Sequence, residues 1–116
     1  NGKSKLKLTI APDVSVKDSE RETSRKENLK LSDNYYYDLV TVEGKINLKN
    51  SKNKNIKLNI DKVIEGELLN TNLKWNVTLL NIYKTQNKVN QIEWEVDLKA
   101  NEAKEISYKY ERYLRR

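Results

Sequence analysis

The stretch Val40-Thr41-Val42-Glu43-Gly44-Lys45-Ile46-Asn47-Leu48 decides the fold. Apolar and polar residues alternate along it, and several of its apolar residues are β-branched. A period of two is typical of a β-strand that buries one face and exposes the other. This stretch is therefore predicted to be a long, half-buried β-strand.

Six more stretches show the same alternation and complete a set of about seven predicted strands. They are residues 6–10, 14–16, 56–60, 73–79, 92–98 and 106–110. Such a set without cysteines predicts an all-β fold, an antiparallel two-sheet sandwich of the immunoglobulin or fibronectin type III kind, with a small barrel as the alternative. The polar loop at 50–55 predicts a hairpin between the 40–48 and 56–60 strands.

The length of 116 residues predicts a single domain, 1–116. Because the chain begins at Asn1 without an initiator Met, we expect it to be excised from a larger protein. Residues 1–4 and 114–116 are predicted to be disordered tails. Residues 17–30 are dense in mixed charges and lack an apolar stripe, which favours a charged loop or an edge strand over a helix.

The composition removes most enzyme chemistry. The absence of Cys and His excludes disulfides, thiol nucleophiles, imidazole bases and the commonest zinc ligands. Glu93, Glu95 and Asp97 fall on one outward strand face that is predicted to be solvated, and the remaining aspartates lack the spacing of a calcium loop. We therefore expect no enzyme activity, no cofactor and no catalytic or metal-binding residues.

A lysine-rich segment is the first candidate contact site. Residues 45–62 carry six lysines and one acidic residue, Asp61. A basic patch is suited to a polyanion, whereas lysines on an edge strand also prevent edge-to-edge aggregation. The sequence lacks the motifs of common nucleic-acid-binding domains, so nucleic acid is a disfavoured partner. The candidate contact residues here are Lys49, Lys52, Lys54 and Lys57.

The consecutive tyrosines Tyr35, Tyr36 and Tyr37 are the second candidate contact site. Because neighbouring residues of a strand point to opposite faces, at least one of the three points outward. One interpretation is a strand start with one ring in the core and two at its rim. The other is a small aromatic surface for a partner or ligand.

The tryptophans and one glycine are predicted to belong to the core. Trp75 and Trp94 share the apolar parity of their strands, so we expect both between the sheets. Gly44 takes an inward position in a regular strand, which indicates close approach by a bulky side chain. We expect that side chain to be a Trp of the facing sheet.

Three segments carry a resemblance to a known family. Residues 36–50 resemble its "veG-x-i-x-l-x-N" strand, residues 87–102 its "NpvN-x-i-x-W-x-v-x-l-x-p-g-e" segment, and residues 103–110 its closing "k-x-i-x-Y-x-Y". Together they are similar to the C-terminal β-sandwich of the bacterial proteins grouped as domain of unknown function 4139, although Ala100-Asn101 replaces the family's frequent Pro-Gly. The resemblance implies a sandwich at the end of a larger, exported protein and no catalytic residues.

These features favour a non-catalytic structural or protein-interaction β-sandwich module of a larger bacterial protein. Its expected partners are other domains of the parent chain or another protein. The alternative is a ligand-binding module for carbohydrate or a polyanion, through the surface tyrosines or the lysine-rich hairpin. No apolar run approaches the length of a membrane span, so no membrane insertion by this segment is expected. A periplasmic or cell-surface location is weakly favoured over other compartments.

Overall fold

The computed structural model describes residues 4–8, 13–32, 35–80 and 87–115. The regular secondary structure of these residues consists of β-strands alone, which confirms the predicted all-β class. The strands are β1 (Ser4–Leu8), β2 (Val14–Ser32), β3 (Tyr35–Asn50), β4 (Ile56–Glu65), β5 (Glu67–Thr71), β6 (Trp75–Leu79), β7 (Val89–Leu98) and β8 (Ala103–Arg115).

The strands build two antiparallel four-stranded sheets, and the predicted two-sheet sandwich is confirmed. Sheet A has the order β1-β4-β7-β6 and sheet B the order β2-β3-β8-β5. The immunoglobulin constant domain instead arranges its strands as ABED and CFG, so that its first two strands are neighbours in one sheet. The likeness to that domain is therefore one of architecture, because the strand order differs.

Alternating side chains fill the space between the sheets. In β7, the side chains of Ile92, Trp94, Val96 and Leu98 are buried, whereas the residues between them are exposed. The Trp94 Nε1 donates a hydrogen bond to Thr71 Oγ1 of the opposite sheet at 3.2 Å. Burial of such side chains stabilises the fold by roughly 1.5–3 kcal/mol each, and the alternation read from the sequence is the pattern that achieves it.

The charged segment 17–30 is part of edge strand β2, one of its two predicted alternatives. The segment pairs with β3 and has three register shifts. At one of them Asn28 adopts a positive φ of 63°, and its backbone N–H donates to the buried Asp38 Oδ1 at 3.0 Å. Arg25 Nη1 donates to Asp38 Oδ2 at 2.8 Å, so one buried carboxylate holds the irregular end of the strand.

Two predicted boundaries differ from the structure. The predicted tails at 1–4 and 114–116 include residues that belong to strands, because Ser4 begins β1 and β8 runs through Arg115. Residues 1–3 and 116 lie outside the described residues. A strand that the alternation did not predict, β5, follows a bend at Gly66, whose φ of 146° is unfavourable for residues with a side chain.

The predicted hairpin of the 40–48 and 56–60 strands is wrong. β3 pairs with β2 and β8 in sheet B, whereas β4 pairs with β1 and β7 in sheet A. The loop at 51–55 therefore crosses from one sheet to the other. A polar loop marks a chain reversal, but the loop itself does not distinguish pairing within a sheet from a crossing between two sheets.

Candidate functional site

One buried lysine lies between the two sheets. The inward positions of β4 are Ile56, Leu58, Ile60, Lys62 and Ile64, and the side chain of Lys62 is only 1% exposed. Lysine is almost never fully buried unless it is paired. Its surroundings are therefore the first place to look for chemistry.

The partners of this lysine come from the other sheet. Lys62 Nζ donates a hydrogen bond to Asp18 Oδ2 at 2.5 Å and lies 3.5 Å from Glu20 Oε2. Asp18 and Glu20 are two residues apart on β2, so their side chains leave the same face of the strand. Both carboxylates are mostly covered, with side chains 22% and 23% exposed. The ion pair thus joins sheet A to sheet B.

Two tyrosine hydroxyls complete this group. Tyr108 Oη donates to Glu20 Oε2 at 2.6 Å and lies 3.1 Å from Asp18 Oδ1, while Tyr110 Oη donates to Glu20 Oε1 at 3.0 Å. Burial and the neighbouring carboxylates raise the pKa of Tyr108 far above its ordinary value, so the hydroxyl stays protonated as a donor. We call Lys62, Asp18, Glu20, Tyr108 and Tyr110 the ion cluster.

Gly44 leaves the space through which the Tyr108 side chain reaches the carboxylates of Asp18 and Glu20. The register places Glu20 opposite Gly44 on one side and Tyr108 opposite Gly44 on the other. A Cβ at Gly44 would lie 2.0 Å from Tyr108 Cζ, so the ring crosses the strand where no side chain is present. A close approach at Gly44 was predicted correctly, but the expected Trp of the facing sheet was wrong. The bulky side chain is a tyrosine of the neighbouring strand.

The sequence reading missed the ion cluster because Lys62 was counted with the basic segment 45–62. The other inward positions of β4 are three isoleucines and a leucine, and this alternation indicated that Lys62 also points inward. Asp18 and Glu20 carried no comparable signal, because charges surround them on both faces of β2.

The structure does not bring the four predicted contact lysines together. Lys49 and Lys57 project from the outer faces of sheet B and sheet A, which are opposite sides of the sandwich. Lys52 and Lys54 lie in the crossing loop. The side chain of the buried Asn50 holds this loop by accepting from Lys52 N–H at 3.0 Å and donating to the Lys54 carbonyl at 2.9 Å.

A depression of about 440 Å³ lies on the outer face of sheet B and includes one of these lysines. Lys17, Lys49 and Lys104 line it together with Glu105. Lys49 Nζ donates to the Asn101 carbonyl at 2.6 Å, and Lys104 Nζ donates to the Asp97 carbonyl at 2.9 Å. Two of the three ammonium groups are thus engaged with backbone oxygens.

Lys57 instead forms a surface ion pair with Glu95 at 2.8 Å. The Lys57 ammonium donates a hydrogen bond to the carboxylate and lowers the pKa of Glu95 below its ordinary value. We expect Lys57→Gln to raise this pKa back toward that value, as measured by NMR titration of the Glu95 side chain. Lys57→Arg is the control that keeps the low pKa. Equal titration of the Gln and Arg variants would contradict the pairing.

The tyrosine triplet divides between core and surface. Tyr37 is buried and packs edge-on against Tyr113 with ring centroids 6.3 Å apart. Tyr35 and Tyr36 are 41% and 43% exposed, and the Arg115 guanidinium lies 4.0 Å from the Tyr35 ring centroid. One ring in the core and two at its rim is the arrangement of the first interpretation.

Strand β6 carries apolar side chains that remain exposed among the described residues. β6 is the outermost strand of sheet A, and its Trp75, Val77 and Leu79 lie opposite the buried Trp94, Ile92 and Asn90 of β7. Paired residues share a face, yet these three side chains are 43%, 45% and 53% exposed. The prediction that Trp75 lies in the core is therefore wrong. We call Trp75, Val77, Leu79 and the exposed Leu80 the apolar edge.

The comparisons with known proteins add no relative. No protein-family model, curated protein or solved structure matches the chain. Among the described residues, no helix has the length and apolarity needed to cross a membrane. The same residues contain no group of three or more side chains of the types that commonly hold a metal ion.

Proposed function

We propose that the chain is a non-catalytic structural or protein-interaction β-sandwich module that receives a partner strand along β6. The observation that supports this most directly is the apolar edge. The side chains of Trp75, Val77 and Leu79 face the interior side of sheet A, yet about half of each remains exposed. Exposed apolar surface of this kind is typical of an interaction site.

Edge strand β2 of sheet B and edge strand β6 of sheet A differ sharply in charge. β2 carries nine charged residues among its 19, as expected of an edge that resists pairing with other chains. The sequence from Trp75 to Tyr83 carries none. An uncharged edge strand lacks this protection, which suits a strand that is paired in its working state.

The apolar edge indicates what kind of segment the partner supplies. An incoming extended segment would hydrogen-bond to the side of β6 that pairs with no described strand, and would place alternate apolar side chains against Trp75, Val77 and Leu79. A second copy of the chain offers such a segment in its own β6. The resemblance to the domain of unknown function 4139 adds the proposal that the natural partner is a domain of the same larger bacterial protein.

A lysine on the apolar edge should block this docking without unfolding the protein. We expect the chain to self-associate reversibly between micromolar and submillimolar concentration in sedimentation velocity, and Val77→Lys to shift it to monomer. Because Val77 is 45% exposed, the variant should keep the wild-type melting temperature within a few degrees.

Asn59→Lys is the matched control, because Asn59 is exposed on the opposite face of sheet A. It should associate as the wild type does. A chain that stays monomeric throughout would contradict a second copy as the partner, and a Val77→Lys variant that associates like Asn59→Lys would count against β6 as the docking strand.

A further inference from the structure

We propose that Lys62 and Asp18 condense to an amide, an isopeptide bond that joins the two sheets covalently. This inference rests on the ion cluster and is independent of the proposed function of β6. The reactants are a primary amine and a carboxyl group, and the bond would link β4 of sheet A to β2 of sheet B.

The two reacting groups are held in contact. Lys62 Nζ lies 2.5 Å from Asp18 Oδ2, and the lysine side chain is 1% exposed. The amine is thereby confined beside one carboxyl group. Holding two reactants in place gives effective concentrations of roughly 10⁵–10⁸ M in well-oriented intramolecular reactions. Such confinement offsets the unfavourable equilibrium of amide formation in water.

Two neighbouring side chains, those of Glu20 and Tyr108, are placed to assist the reaction. Glu20 Oε2, 3.5 Å from Nζ, is placed to accept the proton that the ammonium must lose before attack. The Tyr108 hydroxyl lies 3.1 Å from Asp18 Oδ1, the oxygen on which negative charge develops. Because the pKa of Tyr108 is strongly raised, this hydroxyl keeps its proton, and it can turn from Glu20 Oε2 to donate to Asp18 Oδ1 as the charge develops.

The reaction balances without any further reagent. The Lys62 nitrogen attacks Asp18 Cγ, the Nζ–Cγ bond forms and the Cγ–Oδ2 bond breaks. One of the three ammonium protons stays on the amide nitrogen, and the other two leave with Oδ2 as one water molecule. Glu20 takes up one of those two protons and returns it to Oδ2. Neither residue is oxidised or reduced.

The product would also be well accommodated. Its carbonyl oxygen, Oδ1, keeps the contact with the Tyr108 hydroxyl, and its N–H faces Glu20 Oε2. Condensation replaces two buried charges by one neutral amide, which removes the desolvation penalty of the ion pair. Glu20 retains the Tyr110 hydroxyl as a donor, and the new amide N–H takes the place of the Tyr108 hydroxyl at Oε2. Each polar group of the cluster keeps a hydrogen-bond partner, although the Glu20 carboxylate loses the Lys62 ammonium as its cation.

Intact-mass spectrometry of the purified 116-residue chain under denaturing conditions tests the bond. We expect the measured mass to fall short of the sequence mass by one water molecule. Trypsin should then leave Lys62 uncleaved and release a branched peptide in which residues 18–21 are joined to residues 58–74. A full mass, or a dehydration that maps to other residues, would overturn the proposal.

Variants assign the roles within the cluster. Lys62→Arg and Asp18→Ala remove a reactant and should show the full mass of their sequences. Glu20→Gln keeps both reactants, and we expect loss of the mass deficit in freshly purified protein. A deficit retained in Lys62→Arg would refute the bond, and one retained in Glu20→Gln would refute the part assigned to Glu20. Because the amide forms only where the fold holds Lys62 beside Asp18, circular dichroism of Glu20→Gln must show the folded β-sheet spectrum, so that a full mass reports on the role of Glu20.

Discussion

Gly44→Val is expected to destabilise the protein by about 3–5 kcal/mol, which corresponds to a melting temperature lower by about 10–20 °C. A Cβ at this position would lie 2.0 Å from Tyr108 Cζ, so the ring must leave its place. The variant then loses the hydrogen bond from Tyr108 to Glu20 as well as the packing of the ring. Thermal and urea unfolding followed by circular dichroism measure the loss.

Two further variants isolate the cause. Asn47→Val places the same side chain on the exposed outer face of β3 and should change stability by no more than about 0.5 kcal/mol. In a Tyr108→Ala background the ring is absent, so adding Gly44→Val should cost much less than it does in the wild type. Additive losses in the double variant would show that Tyr108 does not lie against Gly44.

Lys62→Met is expected to cost about 3–5 kcal/mol, the usual effect of removing one partner of a buried ion pair. Methionine fills much of the volume of the lysine, but it leaves Asp18 and Glu20 facing an apolar side chain without their cation. The cross-link proposed above would add to this loss. Urea unfolding midpoints measure it.

Lys57→Met is the control for this prediction, since Lys57 lies on the same strand and on its solvated face. It should unfold at the wild-type midpoint. Equal midpoints for the two methionine variants would mean that the inward position of Lys62 does not matter for stability.

The architecture was readable from the sequence because one face of each central strand is buried. Alternation along 40–48, 56–60 and 92–98 marks strands that the structure contains within β3, β4 and β7. It does not specify which strands pair, since an inward apolar residue suits either sheet. The hairpin prediction failed for this reason. Asn50, buried at the end of β3, ties the crossing loop to the carbonyl of Lys99, and only the folded chain brings these segments together.

The ion cluster and the apolar edge could not be predicted from the sequence, for two opposite physical reasons. Lys62 has the chemistry of a surface residue and the position of a core residue, and its position prevails because two carboxylates of the other sheet compensate its charge. Trp75 has the chemistry of a core residue, but its strand lies at the margin of sheet A. In both cases the outcome depends on strand order, which no local pattern encodes.

The strand order also bears on how the chain reaches its native state. The last two strands, β7 and β8, are inner strands of the two sheets, and each separates strands that come earlier in the sequence. On a ribosome, β3 and β4 would therefore emerge long before their partners β8 and β7 exist. Pairing so distant in sequence slows folding and leaves unpaired apolar strands exposed to aggregation in the meantime. A chain without β8 would lose an inner strand of sheet B rather than its margin, so folding of this domain must await synthesis of β8.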